Sequence, residues 1–335
     1  MIGSGAAIFG CAGVILTAAE RDFFRDYDPL GFIIFARNVE TPEQLTRLTA
    51  SLRDSVGRDA PILVDQEGGR VQRLRPPYWS EWAAPLDTVE KAGVNAARAM
   101  ALRAQVIAVE LRAVGIDANC APVADIGGPD THPFLRNRCY GQDAETVTHI
   151  ARAVADAHLA MGVLPVVKHM PGHGRSINDT HHDLPTVTTD RATLSTTDFA
   201  PFRALSDLPM AMTAHIIFSA YDSLPATQSP AMIKAIREEI GFAGLLMTDD
   251  LNMQALEGSL GQRTARSMAA GCDIALHCKG DMAEMLEVAA AAAAMTEAAR
   301  SRATAALAQR RPAPSVDIAA LKAEFSALMG ENADG

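Results

Sequence analysis

Lys168-His169-Met170-Pro171-Gly172-His173-Gly174 follows the short apolar run Leu164–Val167 without a break, and Asp179-Thr180-His181 comes soon after it. A run of that length, bounded by Gly and Pro, reads as a buried β-strand. It ends in Lys-His and opens into a loop rich in Gly and His. A second stretch repeats the plan. Gly241-Phe242-Ala243-Gly244-Leu245-Leu246-Met247-Thr248-Asp249-Asp250-Leu251 is a short apolar run that ends abruptly in two acids. Buried parallel strands that deliver charge at their C-terminal ends are how an α/β barrel assembles a site.

Working outward, short apolar runs alternate with longer amphipathic ones. The predicted strands are Ala6–Ala12, Gly31–Phe35, Pro61–Val64, Ala118–Val123, Leu164–Lys168, Met210–His215, Gly244–Thr248 and Asp273–Cys278. Predicted helices between them include Thr41–Val56, Val94–Val114, Ala144–Met161, Ser229–Ile240 and Ser259–Ala270, and Val316–Met329 closes the series. Pro42 suits a helix start. Gly115, Gly162 and Gly271 follow helical runs, where a C′ glycine belongs. The alternation predicts a parallel sheet, and eight strands predict its closure into a (β/α)8 barrel. No Gly/Ser-rich linker divides the chain. The expectation is one domain over residues 1–335, with a frayed end at about 331–335.

The bulk numbers narrow the function. The 335 residues are 48% hydrophobic, enough for a large core, and carry a formal net charge of −10. An acidic balance argues against nucleic acid as a partner. The five cysteines are odd in number and none forms a C-x-x-C pair. Cys11, Cys120, Cys272 and Cys278 lie in or beside apolar runs, and Cys139 falls in a polar loop. That usage fits a reducing compartment. With neither a basic leader nor a membrane-length apolar run, the expectation is a cytoplasmic protein with no membrane partner.

Polar residues close five of the predicted strands: Asp65, Asp125, Lys168-His169, His215 and Asp249. On a barrel they converge on one face. Asp249 reads as a carboxylate nucleophile, whereas Asp250 reads equally as a helix N-cap. Asp179 beside His181 can fix the tautomer of the ring and raise its pKa, giving an acid/base group. The same loop supports another reading, a metal cluster of His169, His173, His181 and His182. Asp65-Gln66-Glu67-Gly68-Gly69-Arg70-Val71-Gln72-Arg73 is either a surface ion-pair cluster or a grip for sugar hydroxyls. Arg138, in Asn137-Arg138-Cys139-Tyr140-Gly141, is uninterpretable alone.

Together these stretches, with Ala214-His215 and Thr248-Asp249-Asp250-Leu251-Asn252-Met253, resemble the bacterial β-N-acetylhexosaminidases of glycoside hydrolase family 3, of the cytoplasmic type that recycles peptidoglycan. The resemblance runs from about Gly31 through Cys278. Met170 stands where Phe is usual, and Cys139-Tyr140 where Ser-Phe is usual. The resemblance implies that Asp249 is the nucleophile of a retaining mechanism and His181 the acid/base, partnered by Asp179. It implies that Asp65, Arg73, Arg138, Lys168 and His169 bind the non-reducing N-acetylglucosamine. The substrate would be a muropeptide fragment such as N-acetylglucosaminyl-1,6-anhydro-N-acetylmuramic acid, with no cofactor and no metal. A phosphorylase on the same scaffold and, more distantly, a metal-dependent amidohydrolase are the alternatives.

Overall fold

In a computed structural model, which describes residues 2–176 and 184–330, eight strands form a closed parallel barrel. They are β1 (Gly5–Gly10), β2 (Pro29–Ile34), β3 (Ile62–Val64), β4 (Ala118–Asn119), β5 (Leu164–Met170), β6 (Met210–Thr213), β7 (Leu245–Asp250) and β8 (Ile274–His277). Each pairs with its sequence neighbours, and β1 pairs with β8 to close the ring. Their apolar runs are buried on both faces, the inner one filling the barrel and the outer one covered by helices. This explains why the strands read as continuous hydrophobic runs rather than alternating ones.

The helices begin and end where local chemistry dictates. Thr41 caps the helix Pro42–Val56 by accepting from the N–H of Gln44, and Pro42 occupies its first turn. Asp143 caps Ala144–Ala160 in the same way, and Ser259 with Gln262 forms a capping box on Leu260–Ala270. Gly115, Gly162 and Gly271 all take positive φ just past helix ends. The predicted helix Val94–Val114 is shorter, Ala96–Ala113, preceded by Pro85–Ala92 and a 3-10 turn at Gly93–Asn95.

Two expectations are corrected. The fourth strand stops at Asn119 rather than Val123, because Pro122 has no N–H to continue the ladder. The chain rejoins β5 through the Val166 N–H, bonded to the Ala121 carbonyl, and an isolated bridge between Val123 and Lys168. Cys139 does lie in a loop, but that loop buries it, as the other four free cysteines are buried. The segment after β4 folds back on itself through the N–H of Gly127, bonded to the carbonyl of Gly141, and this covers Cys139.

Charge is also buried at the opposite, N-terminal end of the barrel. Asp117, 1% exposed at its side chain, meets Arg310 at 2.8 Å and Arg53 at 3.3 Å and accepts the N–H of Ile62 at 2.7 Å. Asp273 at the start of β8 holds Arg302 and Arg237, each at 2.7 Å. Arg302 lies on the helix Glu297–Leu307 and Arg310 just beyond it, so the chain after β8 is tied to the barrel floor. No helix of the described residues is long and apolar enough to cross a membrane.

Candidate active site

Asp65 emerges directly from β3. The chain then turns through a two-stranded hairpin, Gln66–Gly68 with Val71–Gln72, which brings Arg73 back beside it. Arg73 Nη2 lies 3.2 Å from Asp65 Oδ2. Lys168, near the end of β5, places Nζ 2.7 Å from Asp65 Oδ1 and 2.7 Å from Glu67 Oε1. Arg138 closes the cluster with a two-pronged contact to Glu67, Nε to Oε2 at 2.9 Å and Nη2 to Oε1 at 2.7 Å. Three cations thus share two carboxylates. Burial alone would raise Asp65, but Lys168 and Arg73 hold its carboxyl well below the usual range. Glu67 is likewise held low against its burial by Arg138 and Lys168. Burial would lower Lys168, yet Asp65 and Glu67 raise it, so the ammonium is fully charged.

Asp249 and Asp250 end β7. The Asp249 Oδ1 accepts the N–H of Asp250 at 2.8 Å. Burial would raise the Asp249 carboxyl, but His169, His215 and that N–H lower it, so it is ionised at neutral pH. Asp250 differs: burial pushes it up to about 6. It is not a helix N-cap. Its Oδ1 accepts the N–H of Asn252 and of Cys278, both at 3.2 Å, and the next helix is capped by Ser259 instead. His215 stands behind the pair, with Nε2 3.1 Å from the Asp250 carbonyl and Nδ1 2.8 Å from Thr227 Oγ1.

The peptide between Lys168 and His169 is cis, and both side chains face the site. His169 Nδ1 is 2.7 Å from Asp125 Oδ2, and its Nε2 lies 3.4 Å from Arg138 Nη2. Asp125 also accepts the backbone N–H of His173 at 2.7 Å, so one buried carboxylate orders both ends of the Pro171-Gly172 turn. His173 is buried, its ring 5.5 Å from that of His169, and burial lowers it to about 4.

A cavity of about 340 Å³ opens at the C-terminal ends of the strands. Asp65, Arg73, Arg138, Lys168, His169 and Asp249 all line it. Its volume is in the range of small-ligand sites, about 300–1,000 Å³. Asp179 and His181, with His182, lie outside the described residues. Among the described residues, no three or more His, Cys, Asp or Glu side chains form a group able to hold a metal. Two of the five strand-end residues stand behind the cavity wall: Asp125 orders His169, and His215 holds Asp250. Sequence reasoning did not single out Glu67 as a site residue, though it is the hub of the cation cluster. A carboxylate inside a Gly-Gly turn motif gives no sign by itself that Lys168 and Arg138 converge on it.

The model of the glycosyl hydrolase family 3 N-terminal domain matches residues 13–310. The chain belongs to glycosyl hydrolase family 3. Within that family it is 37% identical over 282 residues to a β-hexosaminidase of Alkalilimnicola ehrlichii, covering 82% of this chain and 80% of the relative. Among solved structures, native NagZ from Neisseria gonorrhoeae superposes with a TM-score of 0.83 at 28% identity, covering 98% of this chain and 97% of that one. The same Neisseria protein in complex with N-trifluoroacetyl-D-glucosamine gives a TM-score of 0.83 at 29% identity, with the same coverage. The family 3 fold, a (β/α)8 barrel, is therefore the one this chain adopts.

Proposed function

We propose that this family 3 chain is a retaining exo-β-N-acetylglucosaminidase, a single catalytic domain acting in the cytoplasm on peptidoglycan fragments. Its substrate is N-acetylglucosaminyl-1,6-anhydro-N-acetylmuramic acid, with or without the peptide. The observation that carries the reading is the cavity itself: an ionised carboxylate, Asp249, shares it with a fixed set of charged hydrogen-bonding groups centred on Asp65 and Lys168. The names of the relatives, β-hexosaminidase and NagZ, and the N-acyl glucosamine bound by one of them, support the choice of sugar.

In the proposed reaction, Asp65, Arg73, Arg138, Lys168 and His169 hold the non-reducing N-acetylglucosamine. A carboxylate oxygen of Asp249 attacks the anomeric carbon as the glycosidic bond breaks. His181, held by Asp179, gives a proton to the leaving oxygen. Water then attacks the anomeric carbon, His181 takes its proton, and Asp249 is released. Retaining glycosidases commonly use two carboxylates. A histidine as the second group does not repel an anionic substrate such as a muramic acid fragment.

Hydrolysis of an aryl β-N-acetylglucosaminide, run with and without phosphate and with and without EDTA, tests the reading. The expected result is N-acetylglucosamine, at a rate that neither addition changes. A sugar 1-phosphate as the main product would make the enzyme a phosphorylase. Loss of activity in EDTA with recovery on zinc or manganese would make the histidines of the 169–182 region a metal site and overturn the mechanism.

A further inference from the structure

Three buried side chains form a line behind the sugar grip without reaching the cavity: Gln66, Asn119 and His158. Gln66 sits between Asp65 and Glu67. Its backbone N–H donates to Asn119 Oδ1 at 3.0 Å, and its carbonyl accepts from Asn119 Nδ2 at 3.1 Å. The amide of Asn119 thus acts as a strand partner at the point where the β3–β4 ladder ends. The side chain of Gln66 faces the returning arm of the hairpin. Its Oε1 accepts the N–H of Arg73 at 2.9 Å and of Leu74 at 3.1 Å, and its Nε2 donates to the Leu74 carbonyl at 2.8 Å. One residue therefore sets Asp65 and Glu67 as chain neighbours and Arg73 through a direct bond.

An asparagine amide can sit in two orientations that differ little in shape. The Gln66 backbone accepts only one of them, and His158, on the helix Ala144–Ala160, reinforces that choice. Its Nδ1 is 2.8 Å from the Val154 carbonyl, which only accepts, so Nδ1 carries the proton. Its Nε2 is then an acceptor, 3.0 Å from Asn119 Nδ2. The flipped amide would bring its oxygen against that nitrogen lone pair and against the Gln66 carbonyl oxygen. Burial lowers His158 to about 4, so the ring is uncharged at neutral pH.

We propose that His158, Asn119 and Gln66 are positioning residues for sugar recognition: the imidazole anchors the Asn119 amide in the orientation that clamps Gln66 and so places Asp65, Glu67 and Arg73. The inference rests on the reading of Asp65 and Arg73 as sugar ligands. It gives a helix on the outside of the barrel a specific role in the site, beyond packing.

The test compares His158→Phe, which keeps the ring shape and loses the acceptor, with His158→Gln, which keeps an acceptor. The inhibition constant of N-acetylglucosamine is measured well below each variant's melting temperature, together with kcat and KM on an aryl β-N-acetylglucosaminide. His158→Phe is expected to raise the inhibition constant and KM by about tenfold, with a smaller fall in kcat, and His158→Gln to restore most of both. An inhibition constant unchanged in folded His158→Phe, with only a lower melting temperature, overturns the proposal and leaves His158 a core residue. So does a His158→Gln variant that binds no better than His158→Phe. If His158→Phe does not fold, Asn119→Ala carries the test, and unchanged sugar binding in it also overturns the proposal. Wild-type enzyme that neither binds nor releases N-acetylglucosamine counts against the function itself, a separate failure from any ratio between variants.

Discussion

Asp249 stood out in the sequence because an acid that ends the strand run Leu245-Leu246-Met247-Thr248 has few structural reasons to be there. Replacing it with Ala is expected to abolish turnover and leave the melting temperature nearly unchanged, since the proposed nucleophile goes but little packing goes with it. A 2-fluoro or 5-fluoro activated sugar should label the wild type on Asp249, and peptide mapping that found the label on Asp250 would reassign the nucleophile. The cation cluster sorts its members by burial. Lys168 is 2% exposed at its side chain and bridges two carboxylates, whereas Arg73 is 23% exposed and touches Asp65 alone. Lys168→Ala strands Asp65 and Glu67 without that cation, and the expected cost in a urea titration is about 3–5 kcal/mol. Arg73→Ala should cost less stability and weaken N-acetylglucosamine binding by roughly 1.5–3 kcal/mol. Equal losses of stability in the two variants would show that burial does not rank the cluster. His181→Ala should slow substrates with poor leaving groups far more than aryl glycosides with acidic ones, because general acid help is worth about 10²–10⁴-fold and matters least for a good leaving group. Arg138, uninterpretable as a loop arginine, acquires meaning from its contact with Glu67, 71 residues away in the chain.

The element that positions the grip is the hairpin after β3, and its geometry depends on Gly68. That residue takes φ of +106°, and a Cβ built there would lie 1.7 Å from Arg103 Nη2. Arg103 is a fully buried guanidinium that donates to the Glu67 carbonyl and, at 2.9 Å, to Thr88 Oγ1. Gly68→Ala therefore collides with the group that supports Glu67, in a backbone conformation that a Cβ disfavours. The expected result is a loss of at least about 1–3 kcal/mol of stability, with weaker sugar binding in the fraction that folds. A Gly68→Ala enzyme with wild-type KM and melting temperature would show that Arg103 moves aside freely. At this scale the strands and helix caps could be read from local chemistry. The hairpin could not, because two strands as short as Gln66–Gly68 and Val71–Gln72 have too little length for a periodic signal. Nor could the early end of β4 be placed, although Pro122 carried the physical reason for it.

Across the whole molecule, acid should unfold this protein through its buried histidines before its carboxylates. His158, His173 and His277 are all lowered by burial, each to about 4 from an ordinary 6.5. Between those values the unfolded chain takes up protons that the folded one refuses, so stability falls as pH drops from about 6.5 toward 4, by up to about 3 kcal/mol per ring. The carboxylates held low, Asp125 and Asp249 among them, add their loss only as pH falls below their ordinary value of 3.8. The urea midpoint should therefore decline between pH 7 and pH 5, and a flat midpoint over that range would contradict the picture. At the barrel floor, Asp117→Ala should cost about 3–5 kcal/mol while leaving KM unaltered, because its arginines belong to the end of the barrel opposite the cavity. The order of residues already specifies the alternation of strands and helices, the closure at eight, and which strand ends carry polar groups. All of these follow from short-range periodicity and from the cost of placing a polar residue beside a buried run. Packing in three dimensions settles which of those groups line the cavity and which stand behind it. It also decides that Glu67 bridges Lys168 and Arg138, that burial raises the Asp250 carboxyl while its neighbours lower that of Asp249, and that His158 reaches the hairpin of the cation cluster through Asn119. Each of those outcomes depends on burial and on contacts between residues far apart in the chain, and neither leaves a local trace in the order of the amino acids.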